Sequence, residues 1–425
     1  MKILKKNNLV SGAGIYLIAN VLNGIIPFIL LPILTRYLTP IEYGEVAMFQ
    51  TLLGALAAFT GSVFIGAASR KNYDSNIKKE DIAQFVGSVI QLITLSTIFV
   101  LIIIWIIQDY LAEILSLPPN LIILAAITTS FIAITLIRLS QWQVTKQAFK
   151  YGVLQLSQSI FNMFISLLFV VVMLKGSDGR INAQVITAFI FLFISLYLLK
   201  KDNLLKIFIW RKDYISEALK FGIPLIPHLV GGFLLGTADR FVINKDIGIT
   251  EAGVYMVAVQ LTAAIAIVFD ALNKAYVPWL YEKLKENNPL QKAKIVKYTY
   301  IWFAVIILGA FSSFYIGPPI VLIIAGEEYE AAGEIIGWLA LGQGFQGMYL
   351  MVTNYIFFSK RTGLLSLSTL SSGAINLILL LTLVQILGLK GAAISFAISM
   401  FIKFLLTWWI AYKRHSMPWF TFTNY

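Results

Sequence analysis

The chain has 425 residues, of which 59% are hydrophobic and 13% are charged, and its formal net charge is +12. Soluble domains carry about 25% charged residues, so this composition predicts a membrane protein and excludes an ordinary soluble domain. Cysteine is absent and histidine occurs only twice, which excludes disulfides and thiol nucleophiles and leads us to expect no metal site and no cofactor.

Apolar runs long enough to cross a bilayer recur along the whole chain. A spanning helix needs about 20 mostly apolar residues, and the first run is too long for the core of a signal peptide. We predict an all-α membrane protein of about twelve transmembrane helices, at 11–35, 41–68, 82–108, 119–141, 151–174, 181–199, 216–239, 248–272, 296–317, 331–358, 363–387 and 389–412. The region 296–340 is irregular because it contains a double proline and four glutamates, and a short re-entrant piece is the alternative there.

The basic residues predict how these helices are oriented. With the N-terminus in the cytoplasm, 26 of the 33 lysines and arginines fall in cytoplasmic segments and 6 in outer segments. Lysine and arginine favour the cytoplasmic side of a membrane protein. We therefore expect both termini in the cytoplasm. Because the charges are spread over short segments between apolar runs, we expect no nucleic acid as a partner.

A long basic connection divides the predicted helices six and six. We expect an N-terminal lobe at 1–199, a cytoplasmic basic linker at 200–215 and a C-terminal lobe at 216–425. Within the linker, "DNLLKIFIWRKDYI" interleaves basic and aromatic residues, which fits either a surface helix on the inner leaflet or an ordinary linker. The two halves echo each other, since each places an arginine and an aromatic residue after a span with two prolines. Such parallel repeats put a binding site at their interface.

Three stretches of the chain carry a resemblance to a known family. They are "LPILTRYLTPIEYGEVAMFQ", "FGIPLIPHLVGGFLLGTADRFVINKDIGITEAGVYMVAVQL" and "NKAYVPWLYEKL", in this order. Together with the length and the twelve spans, they resemble the polysaccharide-transporter family of the MOP flippase superfamily, which includes the O-antigen and capsule repeat-unit flippases. The resemblance implies two lobes around a central cavity and translocation of a polyprenyl-diphosphate-linked oligosaccharide across the inner membrane of a bacterium. It also implies membrane lipids and other surface-glycan assembly proteins as partners.

Three cations at or inside the predicted spans are candidates for binding the diphosphate of such a cargo. Arg240 ends the seventh span, where it either binds phosphate or forms a structural pair with Asp239 that terminates the helix. Arg138 lies at the inner end of the fourth span and either snorkels to the interface or faces the cavity. Lys403 lies deep in the last span, which favours a cavity-facing side chain.

Amide side chains form a polar stripe in the fifth span. Gln155, Gln158, Asn162 and Ser166 have the i, i+3, i+7 and i+11 spacing of one helix face. A single amide usually bonds to a neighbouring helix, whereas four polar groups on one face fit a water-filled wall that meets sugar hydroxyls. Gln50 in the second span is a further candidate for this wall.

Four other ionisable residues are candidates for carrying a coupling ion. Asp270 and Lys274 lie one turn apart near the inner end of the eighth span, where they either neutralise each other or leave Asp270 to bind a proton or sodium. His228 shares a helical stripe with two glycines and Arg240, and is either a proton carrier or a neutral histidine packed against the glycines. Asp239 completes the set.

The chain offers no sign of its own energy source or of catalysis. It has no phosphate-binding loop of the G-x-x-x-x-G-K-[ST] type, so we expect energy from an ion gradient or from consumption of the product. Membrane glycosyltransferases, polymerases and acyltransferases need catalytic groups, commonly on a large outer loop, and none is visible; we expect a transporter and not an enzyme. The alternative is an ion-coupled multidrug or small-molecule antiporter of the related MATE type, which acidic cavity residues would favour.

Overall fold

The computed structural model describes residues 2–359 and 363–419. Lys360 and Arg361, two of the residues that the charge count assigns to the cytoplasm, lie outside these ranges. The described residues form helices and short connections without a strand, which confirms the predicted all-α membrane fold. The α-helices in chain order are α1 Lys2–Tyr37, α2 Pro40–Ala57, α3 Ile65–Arg70, α4 Lys79–Leu115, α5 Pro119–Val144, α6 Ala148–Leu167, α7 Gly176–Lys201, α8 Lys212–Gly222, α9 Ile226–Gly236, α10 Asp239–Asp246, α11 Ile249–Glu286, α12 Pro289–Ala325, α13 Ala331–Phe358, α14 Gly363–Leu387 and α15 Leu389–Arg414.

The turn between the first two spans ends in a capping box. The backbone N–H of Thr39 donates to Glu42 Oε2 at 2.9 Å, and the backbone N–H of Glu42 donates to Thr39 Oγ1 at 3.4 Å. Pro40 occupies the first helical position, where its missing N–H removes no helical hydrogen bond. The local sequence therefore ends one helix and begins the next within a few residues.

The second predicted span is broken in the structure. α2 and the following helical segment Ser62–Tyr73 are bent by 52°. Between them, Gly61 has a φ of +95°, and a Cβ there would lie 2.8 Å from Ile93 Cγ1, so neither the backbone nor the space accepts a side chain. Eleven of the described helical segments are long and apolar enough to cross a membrane, and the bent pair makes twelve.

The region with the double proline is one helix and not a re-entrant piece. α12 runs through Pro318 and Pro319 and ends before Gly326, whose φ is +91°. α13 comes close to the proline turn at Gly333, where a Cβ would lie 3.0 Å from the Cα of Pro318. The re-entrant alternative is therefore wrong, because the helix continues past the prolines to Ala325.

The chain divides into two compact units, Met1–Val230 and Gly231–Tyr425. The core of the first unit contains fully buried side chains from α4 and α5, such as Phe85, Ile93 and Ile137. Side chains of α8 join this core, so α8 packs with the first unit. The division between the units thus lies later in the chain than the predicted basic linker.

The predicted linker packs along α4 and is not a helix. Residues 202–211 form turns and irregular backbone. The backbone N–H of Lys206 donates to the carbonyl oxygen of Ala83 at 3.2 Å, and the Lys206 ammonium pairs with Glu80. The surface-helix alternative is therefore wrong, because α4 supplies hydrogen-bond partners that hold the linker in another conformation.

In the second unit, residues 415–419, which follow α15, pack against α12 and α13. Trp419 is 1% exposed, and the Tyr300 hydroxyl donates to its carbonyl oxygen at 2.6 Å. The His415 ring stacks on Tyr355, with centroids 6.1 Å apart, and meets Phe358 edge-on at 5.3 Å. Residues 415–419 therefore complete an aromatic cluster with Tyr300, Tyr355 and Phe358 at this end of the unit.

We expect acidification to weaken this C-terminal segment. Burial of the ring, followed by the charge of nearby Lys292, lowers the pKa of His415 below its ordinary value of 6.5. The unfolded segment takes up a proton more readily than the folded one, so the contribution is present above about pH 6.5 and is lost as the pH falls further. Thermal unfolding of the purified protein between about pH 5 and pH 7.5 measures the loss, and His415→Phe is expected to reduce it. An equal pH dependence in that variant would contradict the assignment.

Candidate functional site

A polar cavity lies among α1, α2, α5, α6 and α7 of the first unit. Its volume is about 420 Å³, and its wall includes the four amides that the sequence singles out: Gln50, Gln155, Gln158 and Asn162. Further polar side chains complete the wall, and these are Asn23, Ser159, Arg180, Gln184 and Thr187. The structure thus places the predicted amides in one wall, and binding of cargo there stays a prediction.

Arg180 is the cation of this first cavity. It lies on α7, and its Nη1 donates to Asn162 Oδ1 at 2.8 Å and to Ser166 Oγ at 2.7 Å. Both acceptors are neutral, and among the described residues no carboxylate forms an ion pair with Arg180. The guanidinium is therefore oriented by the polar stripe of α6 while its charge is left uncompensated.

The amides of α6 are themselves held in place. Gln155 Nε2 donates to Asn20 Oδ1 at 3.2 Å, which joins α6 to α1. Asn162 Nδ2 donates to the carbonyl oxygen of Ala183 at 3.3 Å and to Thr187 Oγ1 at 3.4 Å, which joins α6 to α7. The wall is therefore a fixed array of donors and acceptors, as a site for a polyhydroxylated ligand requires.

A second, smaller cavity lies in the second unit. Its volume is about 290 Å³, and it is bounded by residues of α9, α10, α11, α13, α14 and α15. Its polar lining consists of Asp239, Tyr255, Thr262, Gln343, Gln346, Thr369 and Lys403. The wall otherwise consists of apolar side chains and of Gly232 and Gly236, which leave room for the cavity.

Lys403 is the cation of this second cavity. The residue is 8% exposed, its Nζ donates to Gln346 Oε1 at 3.1 Å, and it lies 4.1 Å from the centre of the Tyr349 ring. Within the described ranges, no carboxylate pairs with it. A buried ammonium compensated by one amide and one ring face is costly, and an anion in the cavity would offset that cost.

Asp239 lines the second cavity but its charge is already satisfied. The Tyr255 hydroxyl donates to Asp239 Oδ2 at 2.7 Å, and Arg240 Nη1 lies 3.1 Å from Asp239 Oδ1. Arg240 Nη1 also donates to the carbonyl oxygen of Gly236 at 2.9 Å and is not among the residues that line this cavity. Of the two roles considered for Arg240, phosphate binding and a structural pair with Asp239, the structure contains the pair with Asp239.

The predicted stripe from His228 to Arg240 is interrupted. α9 ends at Gly236 and α10 begins at Asp239, so Arg240 does not continue the face that starts at His228. Thr237 and Ala238 both donate their backbone N–H groups to the carbonyl oxygen of Phe233, which terminates the helix. His228 is exposed and lines neither cavity, so its role as a proton carrier stays a prediction.

Arg138 is not among the residues that line either cavity. Its side chain is fully buried, its Nη2 pairs with Asp202, and its guanidinium lies 3.9 Å from the centre of the Trp142 ring. The structure therefore neither exposes Arg138 to a cavity nor lets it snorkel, because Asp202, just beyond α7, provides the partner.

The other coupling candidates also lie outside the two cavities. Lys274 Nζ is 2.5 Å from Asp270 Oδ2, and both side chains are about half exposed. The structure therefore has the self-neutralising pair that the sequence offers as one alternative. Of the four coupling candidates, Asp239 alone lines one of these cavities. Among the described residues, no group of three or more acidic, histidine or cysteine side chains is placed to hold a metal ion.

Comparison with known sequences identifies relatives. The family described as "Polysaccharide biosynthesis protein" matches residues 9–284, which is more than half of the chain. An Lsg locus protein of Haemophilus influenzae is 26% identical over 359 residues, covering 83% of this chain and 85% of the relative. A Haloferax volcanii protein named "Probable low-salt glycan biosynthesis flippase Agl15" is 22% identical over 178 residues, covering 42% of this chain and 38% of that protein.

Comparison with solved structures identifies the fold. The structure titled "Lipid II flippase MurJ, inward closed conformation" matches with a TM-score of 0.74 at 15% identity, covering 93% of this chain and 87% of that one. An inward-facing MATE family multidrug resistance transporter of the MOP superfamily matches with a TM-score of 0.69 at 15% identity, covering 95% and 94%. At such low identity, these matches establish the shared fold alone.

Proposed function

The chain belongs to the polysaccharide biosynthesis protein family, and we propose that it is a flippase for a polyprenyl-diphosphate-linked oligosaccharide. The cargo would be an O-antigen or similar surface-glycan repeat unit, moved from the cytoplasmic to the outer face of a bacterial inner membrane. Both termini would lie in the cytoplasm, as the charge count predicts. The protein acts as a transporter and not as an enzyme in this proposal.

The positive charges in the two cavities are the main support for an anionic, diphosphate-linked cargo. The first cavity contains Arg180 and the second contains Lys403, and neither cation forms an ion pair with a carboxylate of the described residues. A diphosphate is an anion, and a guanidinium binds phosphate oxygens through parallel hydrogen bonds. The surrounding amides offer donors and acceptors for sugar hydroxyls. Cations beside amides therefore suit a sugar-diphosphate head.

The same observation weighs against the multidrug antiporter alternative. Cationic drugs require uncompensated acidic groups, and the carboxylate of the second cavity, Asp239, is already bonded to Tyr255 and Arg240. We propose that transport proceeds by alternating access and is driven by an ion gradient. Asp239 is the one coupling candidate at either cavity, and in this proposal its bonds to Tyr255 and Arg240 open when it takes up the coupling proton or sodium.

Deletion of the gene tests the proposal. We expect lipid-linked oligosaccharide to accumulate with its sugar head accessible from the cytoplasmic side, and the surface glycan to be lost. Inverted membrane vesicles treated with a glycosidase measure that accessibility, and re-expression of the wild-type chain is the control. An intact surface glycan together with lost drug efflux would reject the flippase in favour of the antiporter.

A further inference from the structure

The connection between α7 and α8 presents three adjacent apolar side chains outward. Phe208 is 101% exposed, Ile209 is 38% exposed and Trp210 is 54% exposed. Large apolar side chains are rarely grouped on a water-facing surface without a partner. The flippase proposal assigns no role to them.

This apolar tip is held in position on α4. Gln91 Nε2 donates to the carbonyl oxygens of Ile207 and Ile209, the latter at 3.4 Å. Gly87, one turn earlier on α4, allows the close approach, since a Cβ there would lie 2.0 Å from the carbonyl oxygen of Lys206. The outward position of the aromatic side chains is therefore built by the fold.

The attachment point lies where the lipid-facing surface of α4 begins. Exposed apolar side chains start one turn after Gln91, at Leu95, and continue through Ile98, Phe99 and Ile102. One helical turn is about 5 Å along the axis, which is the scale of the headgroup layer beside the hydrocarbon. The apolar tip therefore lies about one helical turn before the exposed apolar surface of α4, as expected for a segment at the boundary between lipid tails and headgroups.

Basic residues follow the apolar tip directly. Arg211 and Lys212 are exposed and neither forms an ion pair among the described residues. The acidic residue at the start of the connection, Asp202, is taken by Arg138. Aromatic side chains prefer the bilayer interface, and cytoplasmic leaflets are negatively charged, so this pattern is complementary to acidic headgroups.

We propose that residues 207–212 anchor the protein in the interface of the cytoplasmic leaflet. Phe208 and Trp210 enter the headgroup layer, and Arg211 and Lys212 bind the phosphates of acidic bilayer phospholipids. The anchor fixes the connection between α7 and α8 to the membrane surface. It is independent of which cargo the cavities bind.

The absence of cysteine makes a direct test available. Phe208→Cys is expected to be tolerated because the side chain is fully exposed, and it can carry a single fluorophore. Lys285→Cys, exposed near the end of α11, is the matched control at another cytoplasmic connection. In vesicles containing brominated phosphatidylcholine, we expect strong quenching at position 208 and weak quenching at 285, and the reverse with aqueous iodide. Equal iodide quenching at both positions would overturn the anchor.

A second arm tests the acidic lipid. Raising phosphatidylglycerol from none to about a third of the lipid is expected to raise brominated-lipid quenching at position 208 about twofold. The additional changes Arg211→Gln and Lys212→Gln should remove that increase. If quenching at position 208 of the Phe208→Cys protein did not change with the phosphatidylglycerol content, phosphate binding by these residues would be overturned. No cargo is present in either arm, so failure of the anchor is distinguishable from failure of the flippase proposal.

Discussion

Lys403→Met is expected to reduce delivery of lipid-linked glycan about tenfold or more while leaving the protein level unchanged. A hydrogen bond to a charged group contributes about 1.5–3 kcal/mol, and each 1.4 kcal/mol corresponds to a factor of ten. The ammonium is buried without an acidic partner, so removing its charge is not expected to destabilise the fold. Surface glycan and membrane protein level, measured together in a complemented deletion strain, separate the two effects.

Lys413→Met is the matched control for this change. Lys413 lies on the same helix, near its end, is exposed and contacts the ring of Trp409. We expect wild-type output from this variant. If Lys403→Met gave wild-type output as well, at a normal protein level, the role of the second cavity in binding an anion would be rejected.

Arg180→Gln is expected to have a comparable effect, and Arg180→Lys a smaller one. The guanidinium bonds both Asn162 and Ser166, and its planar fork leaves further N–H groups for an anion. Lysine keeps the charge but has no planar fork, so partial activity, reduced by about threefold to tenfold, is expected. Export of lipid-linked glycan in proteoliposomes measures both variants.

Lys200→Gln provides the control on the same helix. Lys200 is exposed at the other end of α7 and lines neither cavity. Its replacement removes one positive charge, as Arg180→Gln does, without touching the first cavity. Equal losses in the two variants would mean that overall charge matters and the position of Arg180 does not.

The regular features of the sequence predict much of the fold. Twelve apolar runs correspond to eleven long helices and one bent pair, because each run is long enough to satisfy its own backbone hydrogen bonds in a bilayer. The bend itself depends on Gly61 and on Ile93 of a neighbouring helix, which is a contact between distant parts of the chain. Helical periodicity cannot reveal such a contact.

The candidate site is predictable where the signal is local. The spacing of Gln155, Gln158 and Asn162 on one helix places them in one wall. Arg180 was not selected as a site residue from the sequence. A basic residue at the end of a predicted span is usually one of the charges that flank the span, and the charge count treated Arg180 in this way. The position of Asn162 and Ser166, one turn apart on α6, is the signal that could have indicated a cation between them.

Non-local pairing explains where the sequence-based assignments and the structure differ. Arg138 pairs with Asp202, which lies 64 positions further along the chain, and the residues near Arg138 in sequence do not indicate this partner. Arg240 pairs with its neighbour Asp239, but the break between α9 and α10 determines which way it points. Depth in a span was informative for Lys403, because a lysine far from the ends of its span favours a cavity-facing position, and Lys403 lines the second cavity.

The buried ammonium of Lys403 has a consequence for the energy of the resting protein. Its desolvation is only partly offset by Gln346 and the Tyr349 ring, so without an anion the folded state is less stable than the same fold would be with an apolar residue at this position. An anion that binds the folded state alone recovers that loss, by about 2.7 kcal/mol at a concentration a hundred times its Kd. If the proposed function holds, the protein is expected to be most resistant to heat when an anion is bound, and its resistance to unfolding would then report which anions bind.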